Sequence, residues 1–151
     1  MISAKAANYM LLNPIFTDGM VLQANQPIRI FGEGGGTVRA EFCGQTAENT
    51  FRQPNWLLEL SPVDYGGPYE MKITLDGRTV VLRDVYVGDV YLISGQSNMQ
   101  FKLSAMEKPE LYADNSLLRL YSTTRVEGGE RFTPADGWVK AAMDTSPDFS
   151  A

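Results

Sequence analysis

Over residues 14–86 apolar and polar positions alternate in short runs broken by Gly, Pro, Asn and Asp. A period of two predicts antiparallel β structure rather than helix. The clearest run is YEMKITL, in which Tyr69, Met71, Ile73 and Leu75 alternate with Glu70, Lys72 and Thr74. Such a strand has one buried face and one wet face. Asp76-Gly77 follows at once and RTVVLRDV resumes the pattern, so the dipeptide predicts a two-residue hairpin turn. PIRIFGE, TVRAEF and NWLLELS predict further strands. EGGGT, Glu33 to Thr37, lies between the first two. A phosphate cradle needs a helix directly after its glycines; a strand-like run follows here, so this is a plain glycine turn. About seven such strands with no helical period predict an antiparallel β-sandwich, jelly-roll or immunoglobulin-like, over residues 1–87, its pattern clear from roughly residue 10.

After Gly88 the pattern changes. DVYLIS is a continuous apolar run, as in a strand buried on both faces, and it leads into small polar residues. MQFKLSAMEKPELYA has room for one or two short helices, and SLLRLYST predicts another buried strand, Leu117 to Tyr121. Strand, turn, helix and strand open an α/β unit. A parallel sheet needs both faces covered, and nothing after GWVKAAMDTSPDFSA covers this one. Residues 88–151 are therefore expected to be the start of an α/β domain whose remainder lies outside the chain.

Composition narrows the chemistry. At 151 residues, 44% hydrophobic and 21% charged, the chain has the make-up of a globular domain, or a small domain plus part of another. A net charge of −5 with no Lys/Arg cluster argues against nucleic acid as a partner and for a neutral or weakly charged ligand. No stretch approaches the roughly 20 apolar residues of a membrane helix, so no membrane partner is expected. MISAKAANYMLLNP has one lysine and too short an apolar run for a convincing signal peptide. One cysteine and no histidine exclude an intrachain disulfide and the usual cysteine/histidine zinc site. Cys43, which follows Val38, Ala40 and Phe42 in a strand-like run, is expected to be a quiet structural thiol.

The string GDVYLISGQSNMQF, Gly88 to Phe101, carries the candidate chemistry. An apolar run ending in a small polar turn is a common way to present a nucleophilic serine, here Ser97. Serine needs a base to take its proton, usually histidine, and this chain has none. Ser97-x-x-Gln100 also fits a helix capping box, which accounts for the serine without catalysis. Gly95-x-Ser97 supplies only the first half of the Gly-x-Ser-x-Gly elbow, because Met99 stands where the second glycine would be. Lys102 lies roughly a turn and a half further on, but between Phe101 and Leu103 it has no evident desolvating pocket. The carboxylate pairs Asp84/Asp89 and Glu107/Glu110 are expected to be solvated surface charge, since no pattern sets them across a cleft.

SGQSNM preceded by GDVYLI resembles the first block of the SGNH hydrolase superfamily in the form it takes in the sialate O-acetylesterase family. NPIFTDGMVLQ, GGPYEMKI and LRDVYVGDVYLISGQSNM lie in the order of that family's leading β domain and its junction to the esterase domain, and LLRLYS, GWVKA and SPDFSA resemble its next landmarks. The resemblance implies a serine carbohydrate esterase that removes O-acetyl groups from sugars. Ser97 is then the nucleophile and, through its backbone N–H, an oxyanion donor; Gly95 permits the tight turn, and Gln96 and Asn98 steady it. An Asp-x-x-His pair and the glycine and asparagine that complete the oxyanion hole are implied in later sequence. No metal or organic cofactor is implied. The implied partners are an O-acetylated sugar and the rest of the esterase domain, and the chain alone is expected to be inactive or nearly so. Acetylated xylan or pectin is as compatible with the resemblance as acetylated sialic acid, and it is consistent with a secreted or periplasmic location. The alternative is a non-catalytic β-sandwich that binds sugars or another protein. Trp56, Tyr65 and Tyr69 would be its stacking surfaces, although aromatics at strand spacing usually belong to cores.

Overall fold

The computed structural model describes residues 10–95, 102–105, 107–108, 115–125 and 132–142. The described residues are mainly β. The strands are β1 (Leu11–Leu12), β2 (Val21–Gln23), β3 (Ile28–Glu33), β4 (Gly36–Phe42), β5 (Gln45–Phe51), β6 (Asn55–Leu60), β7 (Gly66–Leu75), β8 (Arg78–Gly88), β9 (Asn115–Arg125) and β10 (Phe132–Ala141). They form a three-stranded sheet in the order β1-β3-β6, a five-stranded sheet in the order β2-β8-β7-β4-β5, and the pair β10-β9.

The alternation along each strand becomes one core. In β3, Ile28 and Ile30 are buried between exposed Arg29 and Phe31, and they face Leu60 and Leu58 of β6. In the larger sheet Val38 pairs with Leu75 and Ala40 with Ile73. These inward faces, joined by Met20, Phe42, Val85 and Val87, belong to a single hydrophobic cluster. Each fully buried aliphatic side chain contributes about 1.5–3 kcal/mol relative to exposure, so the two sheets are held together chiefly by this shared interior.

The turns follow local chemistry. Asp76 and Gly77 have φ of 47° and 82° and join β7 to β8, with Leu75 opposite Arg78. Both left-handed residues suit the right-handed twist of the strands. A Cβ on Gly77 would meet no atom within 4 Å, so Gly77→Ala should cost about 1 kcal/mol through backbone conformation alone. Urea unfolding checks this, and an unmoved midpoint would contradict it. Within Glu33 to Thr37 the turn is Gly34-Gly35, which joins β3 directly to strand β4, with no helix after the glycines.

Cys43 departs from its expected place. β4 ends at Phe42, and Cys43-Gly44, with φ of 47° and 74°, forms the turn into β5. The thiol is exposed, and partial desolvation pushes its pKa up, which keeps it protonated and slow to react.

The expected α/β start is not formed among the described residues. Residues 89–95 take no place in any sheet, and Tyr91, Leu92 and Ile93 are 82%, 94% and 66% exposed. The register explains this. β2 ends where Gln23 pairs with Gly88, and β7 begins where Gly66 pairs with Val87. The two neighbours of β8 therefore stop at Val87 and Gly88, and residues 89–95 run past both without a strand partner among the described residues. The second expected strand is present as β9, but Leu117 and Leu118 are exposed, and β9 pairs antiparallel with β10. Between them, the described helical structure is one 3-10 turn, Leu103–Ala105.

Candidate active site

The approach to the serine turn is anchored on β8. Ala24 N donates to Gly88 O at 2.8 Å, and Val90 N donates to Gln23 Oε1 at 2.9 Å. With the ladder ended, the Gln23 side chain takes over the role of a neighbouring carbonyl. Tyr65 Oη donates to Asp89 Oδ1 at 2.9 Å. This hydrogen bond, reinforced by the charge of Asp89, raises the Tyr65 pKa, because both effects disfavour phenolate beside carboxylate. Absorbance titration should show one phenol ionising above the usual tyrosine range, and Asp89→Asn should bring it back. A profile unchanged by that substitution would contradict the assignment.

Of the residues assigned to the turn, Gly95 is described and exposed. Gln96, Ser97 and Asn98, with the capping partner Gln100, lie outside the described residues.

Later in the chain, the β9–β10 hairpin packs against β8. The Arg119 side chain is 2% exposed. Its Nη2 lies 3.4 Å from Asp84 Oδ2, and its Cζ stands 4.8 Å from the centre of the Tyr86 ring. Lys140 of β10 reaches the same Asp84 oxygen at 3.5 Å. Trp138 of β10 donates from Nε1 to Ile15 O at 2.8 Å and stacks at a tilt on Tyr121, with ring centres 5.1 Å apart. Asp84 is thus a partner of a buried cation, not the solvated charge expected from sequence. A separation of 35 residues from Arg119 left no local pattern to announce the pair.

The remaining candidates fall apart in space or in role. Asp84 and Asp89 have different partners, Glu107 is exposed, and Glu110 lies outside the described residues. Lys102 is exposed and lacks the burial that a general-base lysine requires. Trp56 is buried and donates from Nε1 to Glu33 O at 3.1 Å. Tyr69 packs edge-on against Phe42 with centres 5.6 Å apart. Tyr65 alone of the three proposed stacking aromatics is exposed. Among the described residues no group of three or more Cys, Asp or Glu is placed to hold a metal ion.

Comparison with known proteins defines a class first: the chain is related to carbohydrate esterases. It adopts the fold seen in part of a carbohydrate acetylesterase from Xanthomonas citri, with a TM-score of 0.80 and 28% identity over 95% of this chain and 35% of that one. More narrowly, it is homologous to part of the sialate O-acetylesterases. It is 33% identical over 122 residues to that of Rattus norvegicus, a match taking in 71% of this chain and 22% of the relative. With that of Mus musculus it is 34% identical over 115 residues, 66% of this chain and 21% of the relative. The chain therefore spans about a fifth of the length of those two relatives. No family model matches it.

Proposed function

We propose that this chain is part of a serine carbohydrate esterase that removes O-acetyl groups from sugars, with O-acetylated sialic acid the favoured substrate. Residues 1–87 are its β-sandwich module. Residues 88–151 contribute the first strand, the nucleophile turn and the second strand of an SGNH α/β domain completed by sequence outside this chain. Exposed Tyr91, Leu92 and Ile93 are then the surface which that remainder covers.

Ser97 Oγ attacks the acetyl carbonyl while a histidine from the absent region takes its proton. The backbone N–H of Ser97 faces the developing oxyanion, where a fixed donor acts most strongly. The histidine returns the proton to the sugar oxygen as the C–O bond breaks, and water then attacks the acyl-enzyme to release acetate. Gly95 lets the turn close tightly, and Gln96 and Asn98 hold it.

The observation carrying this assignment is the homology to sialate O-acetylesterases. The match takes in 71% of the chain. The match takes in only 22% and 21% of the two relatives, which leaves room outside this chain for the histidine that the nucleophile needs. As for a sugar-binding module, burial of Trp56 and the packing of Tyr69 remove two of its three platforms. Labelling of the complete enzyme with a fluorophosphonate, followed by peptide mass mapping, should place the adduct on Ser97. An adduct on another residue, or none in an enzyme that hydrolyses acetyl esters, would refute the assignment.

A further inference from the structure

We propose that Arg119 is a positioning residue: its buried guanidinium keys the β9–β10 hairpin to β8 and, in the complete esterase, fixes the orientation of the Ser97-bearing unit on the β module. The first half stands on geometry alone; the second rests on the esterase assignment above.

The receiving site on β8 is built for this contact. Tyr69 pairs with Val85 but Met71 with Leu82, so β8 carries one extra residue, a bulge of the kind that re-aims side chains. Asp84 sits in that bulge with φ of 55°, a conformation aspartate tolerates better than most residues. The bulge is braced from the other side, since Arg83 N donates to Asp18 Oδ1 at 2.7 Å and Gly19 N to Arg83 O at 2.9 Å. The arginine inserted here is not explained by stability alone. Its Nε is buried without an acceptor among the described residues, a cost that methionine of similar length would avoid. What arginine adds is direction. A planar cation stands over the Tyr86 ring while its fork reaches Asp84, with the Ser116 carbonyl of its own strand holding the guanidinium in place, and the two contacts to β8 give the hairpin a direction.

Trp138 fastens the other strand of the hairpin independently, through Ile15 O. Loss of Arg119 should therefore loosen the hairpin's orientation without detaching it. In Arg119→Met, Asp84 keeps Lys140 as a partner, so no carboxylate is left without a counter-charge.

The test is amide hydrogen exchange on the 151-residue chain. Arg119→Met should speed exchange in β9 and β10 by roughly tenfold or more while leaving β3, β4 and β6 unchanged. Arg119→Lys should not restore protection, because it keeps the charge but loses the stack and the fork. Asp84→Asn, at a partly exposed position that leaves the core intact, should give the same regional pattern more weakly. Unchanged exchange in β9, or equal acceleration in every strand in both the Met and the Asn variants, would overturn the assignment. In the complete esterase, Arg119→Met should lower kcat about tenfold with KM within about twofold. An unchanged kcat would overturn the positioning role. Activity surviving in Ser97→Ala would instead overturn Ser97 as the nucleophile and leave the exchange result standing.

Discussion

Alanine at position 97 is expected to reduce kcat for acetyl-ester hydrolysis by the complete enzyme by roughly 10⁴–10⁶, with KM little changed. The substitution deletes one oxygen, the atom that would form the acyl-enzyme. It keeps the backbone N–H that would face the oxyanion, so the residual rate is what oxyanion stabilisation and substrate binding provide without a nucleophile. KM holds because the sugar is gripped by groups other than the hydroxyl that attacks it. Acetate release from an O-acetylated sugar is the direct measurement. A variant retaining a tenth or more of the parental rate would move the chemistry to another residue, whereas loss of activity together with a changed circular dichroism spectrum would indicate a folding defect.

The largest effect on stability should come from Trp56→Ala, at about 3–5 kcal/mol. Trp56 lies opposite Gly32 across the β3–β6 ladder, and its indole fills the space that a side chain on residue 32 would occupy. A Cβ on Gly32 would fall 2.6 Å from Trp56 Cζ2, besides colliding with the Leu11 carbonyl. The indole is buried, tilted against Phe51 at 6.3 Å between centres, and satisfied at Nε1 by Glu33 O. Truncation leaves a cavity over a glycine, which has no side chain with which to close it, so little relaxation is available. Denaturant unfolding followed by far-ultraviolet circular dichroism measures the loss, and a cost below about 1.5 kcal/mol would show that the sheet collapses around the gap.

The strands legible in the sequence were those with one dry face and one wet face. β3, β4, β6, β7 and β8 announce themselves through period-two alternation, and Asp76-Gly77 through turn chemistry. β5 escaped notice because QTAENTF contributes only Ala47 and Phe51 to the packing around the core, and β1 and β2 are too short to display a period. β2 is also parallel to β8, in a region whose pattern read as antiparallel. The run from Asp89 to Ser94 shows the limit differently: apolarity says that a surface demands cover, but not which element provides it. Arg119 is the plainest omission. A charged residue inside an apolar strand pattern gives no warning of burial, because its partners Asp84 and Tyr86 are brought to it only by the bulge in β8. Of the serine turn, the sequence motif carries the residues, and Gln96, Ser97 and Asn98 lie outside the described residues.

Among the described residues, β5 closes one side of the larger sheet with no further strand beside it. Thr46, Glu48, Asn49 and Thr50 leave it hydrated, and at its start the Gln45 amide is already engaged, accepting from Ser61 N at 2.8 Å and donating to Ser61 O at 3.3 Å. A rim dressed in hydroxyls, an amide and a carboxylate is a poor template for fibril growth. Colloidal trouble during purification of the isolated chain would thus start from the bare Tyr91-Leu92-Ile93 stretch rather than from this flank, and shielding that stretch is where solubility engineering should begin.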